Sequence, residues 1–404
     1  MRIQKSARFL KAAIFTTAVL LCLAQLTSCL DRAAVETAPP TSSTLTDPLP
    51  YDWQVAFPSV SAASAVVIEA ETGKVILEKN ADTVMPMAST TKIMTALVAI
   101  ENADVSKKVS VSKEAVGIEG SSIYLYEDEE LLLEDLLYAM LLESANDAAA
   151  AIAIEVGGSI EQFAKMMNQK AGDLELTHTS FANPHGLDDP DHHTTAKELA
   201  VIAAEAMKNE TFRSIVSTYK KTIPLNETEG VRLLINHNKL LNRYDGAIGV
   251  KTGYTKKSGR CLVSAAERDH VKLICVTLNA PDDWNDHATM LDKAFAVSES
   301  RLLCDVGEFS ETVPVIGGDT DYVTVINSAP LRLTVPKALP EVEITVELPR
   351  FLYAPVVANE TVGFLLFKAE DVILAKIPIQ ATYGVETAAY KRSLAEKLSS
   401  LFEK

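Results

Sequence analysis

Two residues three positions apart could supply a nucleophile and its base. The stretch Ser89-Thr90-Thr91-Lys92 precedes an apolar run that is typical of a buried helix. Residues i and i+3 share one face of a helix, so the Lys92 amine can reach the Ser89 hydroxyl. Serine becomes nucleophilic when a base accepts its proton, and lysine can be that base once burial or a nearby cation lowers its pKa from about 10.4. Taken alone, such a tetrapeptide is more often a solvated helix start.

A second pair of polar side chains, Ser144 and Asn146, lies where one apolar helical run ends and the next begins. Both side chains could face a cleft beside Lys92. For the tripeptide in isolation, the simpler interpretation is a polar helix junction that is capped by Ser144 or Asp147.

The third motif, Lys251-Thr252-Gly253, follows a compact apolar strand and precedes Tyr254 and Thr255. Glycine at this point leaves room for a ligand backbone to approach the strand edge. Lysine and threonine on the same edge can bind the anionic end of a substrate. This motif is also weak by itself, and the three gain meaning from occurring together.

The motifs occur in the order SxxK, SxN, KTG, which is the signature of penicillin-binding proteins and class A β-lactamases. From about residue 60 to about residue 385, the chain resembles the low-molecular-mass penicillin-binding proteins that are serine-type D-alanyl-D-alanine carboxypeptidases. A class A β-lactamase would have Asp where this chain has Ala145. Further stretches similar to that family are Gly120-Ser121-Ser122, His185-Gly186-Leu187, Thr195-Ala196-Lys197-Glu198 and Asn236-His237-Asn238.

The resemblance implies an acyl-enzyme route that needs no cofactor. Ser89 would attack the carbonyl of the penultimate D-Ala of a peptidoglycan stem peptide, and Lys92 would take its proton. Ser144 would pass a proton to the leaving D-Ala amine, while Asn146 would hold the substrate amide and Lys92. Water would then release the shortened peptide, whereas a β-lactam would acylate Ser89 and leave slowly. Two lysines near one serine lower each other's pKa, so we expect Lys92 to be neutral while Lys251 stays charged.

The resemblance also implies a substrate-binding edge at residues 251–255, which includes Gly253. Here Thr252 and Thr255, with the preceding lysine, would orient the substrate and hold its terminal carboxylate. The backbone N–H groups of Ser89 and Tyr254 would form the oxyanion hole.

Other functions stay open at this point. A D,D-endopeptidase or a β-lactamase could share every motif, and a catalytically silent wall-binding protein is a further alternative, although the intact motifs argue against it. The seven histidines show no HExxH or similar spacing, so we expect no metal site. His192 and His193, beside several aspartates, are interpreted as part of a solvated loop. No GxSxG motif supports a Ser-His-Asp triad.

The elements that must position these motifs predict an α/β (α+β) domain like that of serine β-lactamases and transpeptidases, with an antiparallel sheet and a helical cluster. Residues 65–68 and 75–77 predict a β-hairpin. Mostly helical sequence follows from about residue 86, and three compact apolar strands return between residues 247 and 278. Strand, helices and then strands indicate helices packed on a sheet.

Composition divides the chain into five segments. We predict a signal peptide at 1–28, a linker at 29–58, the D-alanyl-D-alanine carboxypeptidase catalytic domain at 59–303, a small all-β domain at 304–386 and an amphipathic helix at 387–404. Four basic residues followed by about 15 apolar ones indicate a secretory signal, because a spanning helix usually needs about 20. An uncleaved anchor helix is the alternative.

Two features indicate attachment to the cell membrane on the side that faces the cell wall. Leu26-Thr27-Ser28-Cys29 resembles the lipobox of bacterial lipoproteins, in which Cys29 would become the lipidated first residue, although cleavage near Ala33 stays open. The C-terminal segment has an apolar face and a basic face. Such a helix can lie in a membrane interface or pack on its own domain.

The overall charge excludes one class of partner. The 404 residues include 38 Lys and Arg against 54 Asp and Glu, a formal charge of −16. A broad basic surface that binds nucleic acid is therefore not expected. The expected partners are the peptidoglycan stem peptide, β-lactam antibiotics and the membrane surface.

Overall fold

The structure is a computed structural model, which describes residue 53, residues 55–225 and residues 230–388. The predicted signal peptide at 1–28, the candidate lipid site at Cys29 and nearly all of the predicted helix at 387–404 lie outside the described residues, so they stay predictions. Within the described part of the chain, no helix is both long and apolar enough to cross a membrane.

The first part of the described chain combines short strands with seven α-helices. Its strands are β1 (Ser64–Glu69), β2 (Val75–Lys79), β3 (Lys108–Ser110), β4 (Glu130–Leu132), β5 (Lys220–Leu225), β6 (Gly230–Ile235), β7 (Ala247–Thr255), β8 (Gly259–Arg268) and β9 (Val271–Leu278). Its α-helices are α1 (Lys92–Asn102), α2 (Leu133–Leu142), α3 (Asn146–Gly157), α4 (Ile160–Asp173), α5 (Ala196–Lys208), α6 (Glu210–Ser217) and α7 (Asp283–Val297).

Five strands form one antiparallel sheet in the order β2-β1-β9-β8-β7, which confirms the predicted hairpin and the three predicted strands. On β1, Val66 and Ile68 contribute to the core shared with the helical cluster, whereas Ala65 and Val67 contribute to a second core shared with α7. A strand covered on both faces has a continuous apolar sequence, which explains why residues 65–68 do not alternate. β7 is left at one edge of the sheet.

The helical cluster follows local signals in the sequence. At the start of α5, Glu198 N donates a hydrogen bond to Thr195 Oγ1 at 3.1 Å, as the spacing of a capping box predicts. The apolar run between residues 131 and 157 forms two helices, α2 and α3, because the chain turns at Ser144, whose φ is 62°. A residue in the left-handed region does not continue an α-helix. The second motif therefore lies on a turn between two buried helices.

The last described part of the chain is all β, as predicted. Its strands are β10 (Ser298–Cys304), β11 (Ser310–Ile316), β12 (Tyr322–Asn327), β13 (Leu331–Pro336), β14 (Val342–Glu347), β15 (Leu352–Tyr353), β16 (Thr361–Ala369) and β17 (Val372–Ala381). Six of them form a sheet in the order β14-β16-β17-β12-β11-β15, and β10 pairs with β13. Apolar side chains of both sheets, such as Leu333 and Phe367, form a core of their own.

Packing and strand pairing cross two of the predicted segment boundaries. β10 falls almost entirely within the predicted catalytic segment but pairs with β13 of the following β part, and its polar sequence shows no alternation that would reveal a strand. Residues inside the predicted linker at 29–58 also pack against the fold. Trp53 is only 4% exposed, and Val55 and Phe57 pack against the core beside α7. Packing therefore begins before the Pro-rich and Ser-rich composition has given way to a regular strand.

Candidate active site

Ser89 lies on a single 3₁₀ turn, Ala88–Thr91, that leads directly into α1. Ala88, the residue before it, has a φ of 48°, in the left-handed region that costs a residue with a Cβ free energy. Opposite this turn, Gly186 has a φ of 89°, and a Cβ there would lie 2.0 Å from the carbonyl oxygen of Ala88. Only glycine at position 186 lets the loop approach the turn that presents Ser89.

Lys92 is fully buried at the first position of α1. Its Nζ donates hydrogen bonds to Ser89 Oγ at 3.0 Å, to Asn146 Oδ1 at 2.7 Å and to the carbonyl oxygen of His185 at 2.6 Å. Burial lowers the pKa of Lys92 well below its usual value, and the charge of Lys251 lowers it further. In its neutral form the amine has a lone pair for the proton of Ser89. The geometry and the pKa both suit a general base.

Asn146 is oriented by a backbone segment from another part of the chain. Its backbone N–H donates to Ser121 O at 2.7 Å, and its Nδ2 donates to Glu119 O. A Cβ at Gly120 would lie 2.7 Å from that Nδ2, so the segment can pass this close only with glycine between the two contacts. With Nδ2 held by Glu119, the amide oxygen of Asn146 is the atom that faces Lys92.

Asp147 fixes the same segment from the next position of α3. It is buried and accepts hydrogen bonds from Ser122 Oγ at 2.6 Å and from the backbone N–H groups of Leu125 at 3.1 Å and Ile123 at 3.3 Å. The sequence suggested only a helix cap for Asp147. Its contact with residues 122–125 explains why this polar loop is ordered beside the cleft.

Lys251 lies on β7, almost completely buried, and its Nζ donates to Thr252 O at 2.9 Å. Burial lowers the pKa of Lys251 to about 7. On the same strand, a Cβ at Gly253 would lie 3.1 Å from the backbone nitrogens of both Ser89 and Thr90. The predicted reason for this glycine was room for a ligand, but its contact is with the turn that carries Ser89.

Most of the predicted residues meet at one cleft of about 340 Å³. Five of them line it directly. The lining residues are Ser89, Ser121, Ser144, His237, Lys239, Thr252, Gly253, Tyr254, Arg260, Asp283 and Trp284. The buried Lys92 and Asn146 reach it through their hydrogen bonds with Ser89 and with each other.

Thr255 is engaged at the end of β7 rather than in the cleft lining. Its Oγ1 contacts Asp188 Oδ1 at 2.9 Å and Ser258 Oγ at 2.9 Å, at the turn into β8. A substrate could use this hydroxyl only by replacing one of these contacts, so its predicted role stays a prediction.

One wall of the cleft was not predicted. Arg260 lies directly opposite Tyr254 in the register of β7 and β8, and its Nη2 is 2.9 Å from both carboxylate oxygens of Asp283. Asp283 is buried at the start of α7, and the guanidinium lies 5.8 Å from the ring of Trp284. The sequence did not reveal this group. Arg260 and Asp283 lie 23 positions apart, and residue types alone do not show that two such residues meet.

The interpretation of His192 as part of a solvated loop is wrong. Its side chain is only 4% exposed and its Nε2 lies 2.7 Å from Thr91 Oγ1, one residue before Lys92. The neighbouring aspartates made the segment look polar, but Asp188 and Asp191 are exposed and Asp189 is half-buried, whereas His192 is buried. Among the described residues, no group of three His, Cys, Asp or Glu side chains is arranged to hold a metal ion.

Two family models match the chain. The model described as D-alanyl-D-alanine carboxypeptidase matches residues 52–282. The model described as the C-terminal domain of penicillin-binding protein 5 matches residues 299–387. The first match contains all three motifs, and the second covers the all-β part.

Curated relatives match over most of their length. The D-alanyl-D-alanine carboxypeptidase DacF of Bacillus subtilis (strain 168) is 34% identical over 339 residues, which are 81% of this chain and 87% of the relative. The D-alanyl-D-alanine carboxypeptidase DacA of Escherichia coli (strain K12) is 28% identical, over 85% of this chain and 89% of the relative.

Solved structures share the fold. Penicillin binding protein 5 from Haemophilus influenzae superposes with a TM-score of 0.65 at 25% identity, over 82% of this chain and 99% of that one. The DD-transpeptidase of Streptomyces K15 superposes with a TM-score of 0.57 at 32% identity, over 60% of this chain and 100% of that one. Both comparisons agree with the fold described above, an antiparallel sheet with packed helices.

Proposed function

This chain belongs to the D-alanyl-D-alanine carboxypeptidase family, and we propose that it removes the terminal D-Ala of peptidoglycan stem peptides through an acyl-enzyme on Ser89. It is a serine peptidase of cell-wall maturation. The observation that carries the residue assignment is the 3.0 Å contact between Ser89 Oγ and the buried amine of Lys92.

Acylation begins with proton transfer from Ser89 Oγ to the neutral Lys92 amine as the oxygen attacks the carbonyl carbon of the penultimate D-Ala. The backbone N–H groups of Ser89 and Tyr254 stabilise the oxyanion, a type of interaction worth roughly 3 kcal/mol when one donor is removed. The C–N bond then breaks, and Ser144 relays a proton to the departing D-Ala amine. The exposed, cleft-lining position of Tyr254 beside Gly253 supports this arrangement.

The substrate is held along the free edge of β7. We assign the terminal carboxylate to Lys251, Thr252 and, after it leaves its present partners, Thr255. A carboxylate beside Lys251 favours the charged amine and so raises its pKa above the value of about 7 in the empty cleft. Asn146 accepts the substrate amide N–H with the oxygen that also binds Lys92.

Deacylation reverses the chemistry with water as the nucleophile. A water molecule gives a proton to Lys92 and attacks the ester carbonyl, and Ser89 Oγ regains its proton as the peptide leaves. A β-lactam enters by the same attack, but its leaving group stays tethered, so the ester is expected to persist.

The family acts outside the cytoplasm, on the cell wall. We infer that the chain is held at the membrane surface by a lipid on Cys29, by residues 387–404, or by both. Mass spectrometry of the mature N-terminus and membrane partition of a chain ending at residue 386 separate these anchors. A soluble mature chain without lipid would contradict both.

Ser89→Ala tests the proposed function. We expect it to abolish release of D-Ala from a stem peptide and covalent labelling by a fluorescent penicillin, because alanine provides no nucleophile. Ser106→Ala, at an exposed serine that contacts Asp104 and does not line the cleft, is the matched control and should retain both. Full labelling of the Ser89→Ala variant would refute the assignment.

The same assay separates the alternative functions. Faster cleavage of a cross-linked dimer than of the monomeric stem peptide would indicate a D,D-endopeptidase. Rapid recovery of free enzyme from the penicillin ester would indicate a β-lactamase. A natural chain that is neither labelled nor active would be a catalytically silent protein.

A further inference from the structure

A buried histidine lies beneath the turn that carries Ser89. The backbone N–H of Ala182 donates to His192 Nδ1 at 3.1 Å, so Nδ1 has its lone pair there and the ring proton is on Nε2. That Nε2–H then donates to Thr91 Oγ1 at 2.7 Å. Burial lowers the pKa of His192 to about 4, so the ring keeps this neutral form at neutral pH.

The Thr91 hydroxyl continues the chain of hydrogen bonds. Since a hydroxyl has one proton, and His192 provides a donor, that proton is free for the carbonyl oxygen of Ala88 at 2.7 Å. Ala88 is the left-handed residue immediately before the nucleophile. The chain from His192 therefore ends on the backbone that determines where Ser89 points.

The loop that provides His192 also touches the base. Residues 183–194 run past Gly186, which packs on the Ala88 carbonyl, and past His185, whose carbonyl accepts from Lys92 Nζ at 2.6 Å. One loop thus contacts the nucleophile's turn and the base at once. A shift of this loop would change the distance between Ser89 Oγ and Lys92 Nζ.

A second buried histidine shows what a purely structural role looks like. His287 is fully buried, with Nδ1 2.6 Å from Ser264 Oγ and Nε2 2.9 Å from Thr277 Oγ1. Both of its ring nitrogens have hydrogen-bond partners, as in His192, but these partners lie on strands β8 and β9. His287 is therefore a matched control for the loss of a buried, hydrogen-bonded histidine.

We propose that His192 is a positioning residue for the reaction of Ser89: through Thr91 and the carbonyl of Ala88, it holds the Ser89 hydroxyl within reach of Lys92. This inference rests on the proposed function. It assigns no proton transfer to His192, which contacts neither the substrate nor the reacting atoms.

The test is the second-order rate constant for acylation by a fluorescent penicillin, normalised to the fraction of enzyme that is labelled at completion. For His192→Leu we expect this rate constant to fall roughly 10- to 100-fold with full final labelling, because a small misplacement of reacting groups has effects of that size. His287→Leu should lower the melting temperature and leave the rate constant within about threefold.

Thr91 provides a second pair of variants that does not depend on how His192→Leu folds. Thr91→Val removes the hydroxyl and should slow acylation like His192→Leu, whereas Thr91→Ser keeps the hydroxyl and should retain the rate. The double variant His192→Leu/Thr91→Val should be no slower than the slower single variant, because both interrupt one chain of hydrogen bonds.

The opposite results overturn the proposal. An unchanged rate constant in folded His192→Leu or Thr91→Val, or a rate loss in His287→Leu equal to theirs, would reduce His192 to a structural residue. A natural chain that is neither labelled nor active would instead contradict the proposed function, so the two failures are distinguishable.

Discussion

Lys92 and Lys251 are both excluded from solvent, and this burial is what lowers their pKa values. For Lys92 the nearby Lys251 adds to the effect, which meets one half of the expectation that the two lysines lower each other's pKa. For Lys251 burial alone is the cause, and the lowered value of about 7 means that its charge is only partly present at neutral pH in the empty cleft. The two amines are thus suited to opposite tasks, base and carboxylate partner.

The pH dependence of activity follows from the lowered pKa values of Lys92 and Lys251. Lys92 must lose its proton to act as a base, so kcat/KM rises with pH through the pKa of Lys92. Lys251 loses its charge as pH rises through about 7 in the free enzyme, so kcat/KM should then fall. In the kcat profile this alkaline limb should move to higher pH, because the bound carboxylate stabilises the charged amine.

A substrate with a terminal carboxamide is the control for this prediction. It offers Lys251 no charge to bind, so loss of the Lys251 charge should not weaken its binding and the alkaline limb should be absent or much shallower in both profiles. If the alkaline limb of the carboxylate substrate occurs at the same pH in the kcat/KM and kcat profiles, Lys251 does not hold the carboxylate.

The sequence was sufficient to predict which of the motif residues lie together. Ser89, Lys92, Ser144 and Asn146 were predicted from short motifs, and the structure brings them together. His192 and Arg260 could not be predicted, because their partners are distant in the chain and a histidine or arginine alone does not indicate which side chain it meets. Local composition was misleading for His192, since the exposed aspartates around it dominate the pattern.

At the scale of elements, β7 and the turn that carries Ser89 are in close contact at Gly253. Gly253 has no left-handed backbone, so its importance comes from space alone: a Cβ would press against the backbone nitrogens of Ser89 and Thr90 at 3.1 Å. Distances this short force one element to move. β7, to which we assign substrate binding, and the turn that carries the proposed nucleophile thus set each other's positions.

Gly253→Ala should separate these two elements slightly. We expect acylation by penicillin to slow roughly tenfold, because one oxyanion donor, Ser89 N–H, shifts relative to Tyr254. Gly172→Ala is the matched control, since a Cβ there has no neighbour within 4 Å and helix α4 gains from alanine. Equal acylation rates in both variants would contradict the spacing argument.

Strands and helices with a regular apolar pattern were predicted well. Elements rich in polar residues were predicted poorly. The strands of the central sheet and the capping box of α5 follow from local pattern. β10 was missed because half of its residues are polar and its partner strand lies about 30 residues away. The junction between α2 and α3 was expected at Ser144, but its left-handed backbone was not, because no composition rule indicates it.

The molecule as a whole contains separate cores. Two apolar cores flank the central sheet, and a third belongs to the all-β part. Lys337 joins the two parts, with its Nζ donating to the carbonyl of Ala296 at 2.8 Å and its N–H to that of Val297 at 2.9 Å, at the end of α7. The Streptomyces structure corresponds in full to only 60% of this chain, which indicates that the catalytic part can exist without such an addition.

A chain that ends at Val297 should therefore keep its chemistry. We expect its penicillin acylation rate constant to stay within about threefold of the full chain, since the cores are separate. Its melting temperature should fall, because the last carbonyls of α7 lose Lys337. The full chain carrying Lys337→Ala is the control for that loss. A folded, truncated chain that no longer reacts would mean that the all-β part completes the cleft.

The chain has two tryptophans, and they occupy very different surroundings. Trp53 is buried in the core beside α7, whereas Trp284 lines the cleft close to Arg260. The cleft therefore contains an intrinsic fluorophore that needs no label. Filling the cleft of Ser89→Ala with a stem peptide should shift the indole emission without any chemistry, and Trp284→Phe should remove the shift while leaving the emission of Trp53. The fluorescence of Trp284 would thus report directly whether the cleft is occupied.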